Sequence, residues 1–322
     1  MDEATSCYRI LSIDGGGLRG IIPLVILDRL DQAVPGWRAG VNMYAGTSTG
    51  GMIALGLAKG MAPREILQVY LQQGAKIFSR SWWWRLKTLN GLTGPKYDSQ
   101  VKERICRGLL GDGKLSSLLS DDGRRGHVLV PAFNLDGYAR LPEGLRYWRP
   151  KVYHNLPTVD GSDDGTQQLY RVAMETSAAP AYFASYAGFA DGGVFANNPA
   201  MCALAQTRDA RLSLAIAPDA VAMLSLGTGY SPFHLNGGES WGLAQWGPKM
   251  ADLLMDGINE VADFQVRQML GGGRYLRVSP LLPRQVALDD AASLTLLQGL
   301  GRQADLQPAE AFIRSRFQTA GA

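Results

Sequence analysis

The hydrophobic pattern alternates between short apolar runs and longer stretches with helical spacing. Tyr8–Ile13 (YRILSI) has the length and branched residues of a buried strand and runs directly into Asp14-Gly15-Gly16-Gly17-Leu18-Arg19-Gly20. Leu24, Leu27, Leu30 and Val34 then recur at helical spacing, with Pro23 suiting a first turn and Pro35-Gly36 ending the run. Val41–Ala45 reads as a second strand, followed by a small-residue helix over Gly50–Lys59 and another helix over Pro63–Gln73. Asp98 suits the N-cap of a helix reaching Leu110, with Val101, Ile105 and Leu109 on its apolar face. Strands are expected at Val128–Asn134, Tyr153–Leu156, Val221–Leu226 and Tyr275–Val278, and helices at Leu169–Ser177 and Lys249–Leu270, with two more at the C-terminus. Alternating strands and helices predict an α/β sandwich around a mostly parallel sheet. The Gly/Asp-rich stretch Asp160–Gly165 reads as a surface loop, so one domain over residues 1–322 is expected. Within it, core motifs span 10–229 and a helical part spans 249–322.

Composition narrows the class. The chain has 322 residues, 46% hydrophobic and 19% charged, as in ordinary globular enzymes. A net charge of +3 is too weak to argue for nucleic acid, though it suits contact with an anionic surface. The cysteines Cys7, Cys106 and Cys202 are far apart and lack metal-site spacing, so neither a disulfide framework nor a metal is expected. MDEATSCYRI has no signal pattern, and no apolar run nears the ~18 residues of a membrane span. A cytoplasmic protein is expected.

Two glycine-rich turns carry the candidate chemistry. Gly46-Thr-Ser48-Thr-Gly50 is a G-x-S-x-G pattern between a predicted strand and a predicted helix, the setting of a nucleophilic serine. Gly15-x-Gly17-x-x-Gly20 has the outline of a dinucleotide loop, which also needs an acidic residue near the end of the second strand. Residues 36–45 (GWRAGVNMYA) contain none, which disfavours the nucleotide-binding module. Three consecutive glycines at a helix start instead suit backbone N–H donors aimed at an oxyanion.

A serine nucleophile needs a base. His127, His154 and His234 are the only histidines; His127 reads as a strand-edge residue, His154 as structural, and His234 as a loop residue able to serve a Ser-His-Asp esterase. Asp191, in FADGGVFANNP, is the other candidate, and Gly192 and Gly193 leave room beside it.

Together, DGGGLRG at 14–20, GTSTG at 46–50 and DGG at 191–193 resemble the patatin-like lipid acyl hydrolases in order and spacing. GPKYD at 94–98, SAAPAYF at 177–183, NNP at 197–199 and SLGTG at 225–229 extend the resemblance from Ile10 to about Gly229. The resemblance implies a three-layer α/β/α fold and a Ser–Asp dyad without histidine. Ser48 would be the nucleophile and Asp191 the base; Gly15, Gly16 and Gly17 would supply oxyanion donors. Arg19 would support that loop or an anionic head group, and Gly46, Gly50, Gly192 and Gly193 the two turns. The implied substrate is a phospholipid or lysophospholipid ester, with no cofactor. Some bacterial relatives are switched on by a nucleotide second messenger, which the resemblance permits here.

A last pattern concerns access to lipid. FSRSWWWRLKTL places Trp82, Trp83 and Trp84 beside Arg80, Arg85 and Lys87. Tryptophan favours the membrane interface and basic residues anionic head groups, so peripheral membrane contact is one expectation. Aromatic packing under a lid is the other.

Overall fold

A computed structural model describes residues 7–79, 94–135, 147–232 and 240–317. Trp82, Trp83, Trp84, Arg85 and His234 lie outside the described residues. Strands are β1 (Tyr8–Ile13), β2 (Met43–Gly46), β3 (His127–Asn134), β4 (Arg149–His154), β5 (Phe189–Asp191), β6 (Val221–Leu226) and β7 (Tyr275–Val278). The α-helices used below are α1 (Ile21–Ala33), α2 (Thr49–Ala58), α3 (Pro63–Ile77), α4 (Ser99–Leu110), α5 (Leu169–Thr176), α6 (Gly193–Ala196), α7 (Ala200–Gln206), α8 (Leu243–Leu270), α9 (Leu294–Gln303) and α10 (Gln307–Arg316).

The strands form one sheet in the order β4-β3-β2-β1-β6-β7, with β5 added against β3. β3, β2, β1, β6 and β7 pair in parallel; β4 and β5 run antiparallel to β3. Period-2 alternation separates the faces of the sheet. On β1, Leu11 and Ile13 enter a core with α1, α9 and α10, whereas Tyr8 and Ile10 enter one with α7 and the end of α8. Val128 and Val130 of β3 pack with Leu55 of α2, Cys106 and Leu110 of α4, and α5. The result is the expected three-layer α/β/α sandwich.

Most expected elements are present with moved ends. The fourth strand runs over 149–154 rather than 153–156, because Arg149–His154 pairs with β3 while Asn155 turns its side chain inward to bond Val128 N–H, Leu115 O and Gly126 O. The helix after Asp98 is capped as expected, with the Asp98 side chain accepting from Gln100 N–H at 2.9 Å. Its buried face is Lys102, Cys106 and Leu110, one residue round from the expected Val101, Ile105 and Leu109. His127 stands at the very start of β3, as expected, but is fully buried there, its Nδ1 2.6 Å from the Tyr8 hydroxyl.

Two details of the sheet position the site. The strand order reverses beside β1: β2 and β6 flank it, and the loops leaving β1 and β6 meet at one end of the sheet. Open α/β sheets form crevices at such switch points. Second, β2 pairs with residues 127–129 of β3 and β5 with 132–134. Because β4 occupies the opposite edge over 129–134, β2 and β5 lie end to end along one edge of β3. Pro131 falls in the gap between them, where its missing N–H leaves no donor orphaned.

Candidate active site

The first loop is held by groups behind it. Asp14 is buried and its carboxylate takes two bonds from Arg277 of β7, at 3.2 and 2.5 Å. Burial pushes Asp14 up, and the guanidinium pulls it back down. The Gly15 N–H donates to Asn197 O at 2.9 Å, and Gly15 O accepts from Thr228 Oγ1 at 2.8 Å. Gly15 is therefore spent on structure, which removes it from the three donors expected. The N–H groups of Gly16 and Gly17 have no partner among the described residues. Neither position tolerates a side chain. A Cβ on Gly16 would sit 2.4 Å from Thr228 Oγ1; Gly17 has φ of 56°, and its Cβ would sit 2.3 Å from Leu288 O. Arg19 is buried, and its charge acts on Asp14, so it is placed to support the loop.

Ser48 sits between β2 and α2 with φ of 56° and ψ of −119°, a left-handed conformation rare for residues with a Cβ. Such strain costs of order 1–3 kcal/mol and persists only where the surroundings impose it. Here the turn closes so tightly that a Cβ on Gly46 would lie 2.0 Å from Gly50 O, and one on Gly50 2.2 Å from Ile13 O. The Ser48 N–H donates to Thr176 Oγ1 at 2.9 Å. The Thr49 N–H, first of α2, has no partner among the described residues, so the helix end presents positive character beside the serine.

Asp191 ends β5 opposite Ala132 of β3. Its carboxylate accepts the Gly193 N–H at 2.7 Å through Oδ1. Burial pushes Asp191 up to about 6, against the pull of the Ser48 side chain, the Gly193 N–H and Lys102. A carboxylate titrating there is a stronger base than an ordinary aspartate by about two pK units, yet roughly nine-tenths ionised at pH 7. Gly192 must be glycine because a Cβ would lie 2.2 Å from Pro131 O. The Asn197 side chain bridges the two loops: its Oδ1 lies 2.3 Å from where a Gly15 Cβ would be and 3.1 Å from a Gly193 Cβ. Its Nδ2 donates to Gly15 O and to Asn259 Oδ1 of α8.

Neither described histidine approaches Ser48 or Asp191 through a hydrogen bond. His127 bonds Tyr8 and Gly123 O, and burial pushes it down to about 4. His154 lies on β4, and burial lowers it too.

Beside Ser48 opens an apolar cavity of about 750 Å³, counted to its open mouth. Met52 of α2, Tyr70 and Phe78 at α3, Cys106 and Leu109 of α4, and Phe183 are among its walls, and Lys102 is the only charged residue lining it among the described residues. No group of histidine, cysteine and carboxylate side chains among the described residues could hold a metal ion. Nor is any helix among them long and apolar enough to cross a membrane.

Three residues of this arrangement escape the pattern of the sequence. Thr176 and Lys102 lie on helices whose periodicity carries no sign of the serine. Asn197 stands in NNP, visible as a motif but without a role until the loops are brought together.

The family model for patatin-like phospholipases matches residues 11–204, and the chain belongs to that family. Patatin-like protein 2 of Arabidopsis thaliana is 29% identical, over 92% of this chain and 81% of the relative. A cGAMP-activated phospholipase of Vibrio cholerae is also 29% identical, over 92% of this chain and 89% of the relative. Among solved structures, VipD from Legionella pneumophila aligns at 12% identity and a TM-score of 0.40, covering 97% of this chain and 67% of that one.

Proposed function

We propose that this member of the patatin-like phospholipase family hydrolyses acyl esters of phospholipids or lysophospholipids through a Ser48–Asp191 dyad. The observation that carries the reading is Ser48, strained on its turn and acting on the buried Asp191 carboxylate, beside an apolar cavity and N–H groups of Gly16 and Gly17 that have no partner among the described residues. In the first half-reaction Asp191 takes the Ser48 proton as Oγ bonds to the ester carbonyl carbon. The carbonyl oxygen becomes an oxyanion facing the N–H groups of Gly16 and Gly17, where one donor is worth about 3 kcal/mol. Collapse breaks the ester C–O bond, and Asp191 passes its proton to the departing alcohol. Water then attacks the acyl-serine, giving a proton to Asp191, which returns it to Oγ as the fatty acid leaves. The acyl chain occupies the apolar cavity. No metal or cofactor enters any step.

Peripheral membrane contact through Trp82–Trp84 and Arg85 belongs to the same proposal, since a bilayer ester must reach Ser48. Liposomes of mixed phospholipid composition, with released acyl chains and lysolipids identified by mass, test the substrate class. Because the Vibrio cholerae relative is named as cGAMP-activated, the assay is run with and without cGAMP. A fluorophosphonate probe should label wild type at Ser48, and hydrolysis should vanish in folded Ser48→Ala and Asp191→Asn proteins. Loss of activity in a folded His234→Gln protein would instead favour a Ser-His-Asp esterase. A chain that neither labels nor hydrolyses would return the first loop to a nucleotide-binding reading.

A further inference from the structure

Lys102 is the anomaly in the cavity wall. Its side chain is 2% exposed on the inner face of α4, a site where periodicity would place an apolar residue. Burying an ammonium is unfavourable unless something inside requires the charge. Its Nζ donates to Ser177 O at 2.6 Å and lies 4.0 Å from the centre of the Phe183 ring.

The carbonyl it holds belongs to a three-residue segment that touches both reacting groups. Thr176 Oγ1 accepts the Ser48 N–H at 2.9 Å. Thr176 O accepts the Gly192 N–H at 3.3 Å, and Ala178 O accepts the Asp191 N–H at 3.0 Å. Ser177 O, between them, is where Lys102 attaches. The segment is a clasp across serine and aspartate, and the ammonium is its outer fastening.

The charge environment is simple. Asp191 faces Ser48 from the β2–α2 turn, the Gly193 N–H from α6, and Lys102 from α4. Lys102 faces Cys106 of its own helix and Asp191. Glu103, next along α4, is engaged by Arg107 and Tyr186. Glu175, on α5, is acted on by Tyr153, Arg171, Lys151 and Asp164. Lys102 is thus the cation acting on Asp191 among the described residues.

We infer that Lys102 is a positioning residue for the dyad, pinning the Thr176–Ala178 segment and supplying the positive charge that keeps buried Asp191 anionic. The inference rests on the dyad reading. Burial raises Asp191 and Lys102 lowers it, so neutralising the lysine should raise Asp191 further above about 6. Burial also brings Lys102 itself down to about 8, still above the range in which Asp191 titrates, so the lysine is charged where the aspartate loses its proton.

The test is the pH profile of kcat/KM on a short, water-soluble ester, corrected for spontaneous hydrolysis. Wild type should show an acid limb near Asp191, at about pH 6. Lys102→Arg, which keeps the charge, should retain the acid limb where wild type has it. Lys102→Met should move the acid limb up by about one unit, a tenfold loss on the acid side that narrows as pH rises. A Lys102→Met protein reduced by the same factor at every pH would make the lysine merely structural and overturn the inference. Should that variant not fold, Lys102→Gln takes its place, and an acid limb left where wild type has it overturns the inference equally. Absence of any Ser48-dependent hydrolysis fails the dyad reading instead, so the two failures are distinguishable.

Discussion

Replacing Thr176 with valine removes one oxygen and almost no volume, and the structure gives that oxygen two tasks. Oγ1 accepts the Ser48 N–H at 2.9 Å and donates to Pro131 O at 2.5 Å, and the residue is fully buried. Valine leaves a donor and an acceptor unpaired away from water, at about 1–3 kcal/mol each, or about 2–6 kcal/mol together. In a chain of this length that corresponds to a fall in Tm of roughly 5–10 °C. The local effect should be larger than the global one. Ser48 holds a strained φ of 56°, and its N–H is anchored by Thr176 alone among the described residues. Release should let the turn relax, lowering kcat on a short-chain ester by about tenfold or more, with KM little changed. Thr176→Ser keeps the oxygen and gives up a methyl, so it should lose only about 1 kcal/mol and retain turnover. Thermal melts and steady-state kinetics on the three proteins decide the matter. Equal Tm and equal kcat in wild type and Thr176→Val would refute the claim that this hydroxyl holds the turn.

Three further substitutions probe separate parts of the site. Gly16→Ala would force a methyl to 2.4 Å from Thr228 Oγ1 and displace the loop, so kcat should fall by about 10²–10³ with a smaller change in KM; unchanged turnover would make the loop a plain turn. Arg277→Met would leave buried Asp14 without its partner, and denaturant unfolding should show a loss of about 3–5 kcal/mol. Cys106→Phe adds bulk to the cavity wall beside Met52, 3.7 Å from it, and should shift preference toward shorter acyl chains; an unaltered chain-length profile would place the acyl group elsewhere.

β1, β2, β3, β6 and β7 could be read from the sequence because each is a short run dominated by apolar residues. β4 (RPKVYH) instead begins on charged residues, and the three-residue β5, not among the expected strands, is too short to show a pattern. The serine and aspartate could be read because each stands beside glycines that leave almost no alternative geometry. What the pattern could not show was set by contacts between distant segments. Lys102 was passed over because helical periodicity assigns a lysine to solvent, and here a carbonyl and a carboxylate 75 and 89 residues further on draw it inward. Gly15 looked equivalent to its two neighbours, and only the Asn197 carbonyl, bonded at 2.9 Å, separates them. His127 reads as peripheral because a charged Arg124-Arg125 precedes it, whereas Tyr8, at the same end of the sheet two strands away, covers it.

The end-to-end arrangement of β2 and β5 along β3 has a metrical consequence. Thr176 Oγ1 bonds both the Ser48 N–H and Pro131 O, which ties the serine to β3 one residue before Ala132, the partner of Asp191. One strand therefore serves as the gauge for both halves of the reacting pair. Twisting or breathing of the sheet carries the two together, because each is measured from the same few residues. A single residue added to β3 between Leu129 and Ala132 would have the opposite effect. It would part the pair by about 3.3 Å and turn the next side chains to the other face, while leaving every motif in the sequence intact.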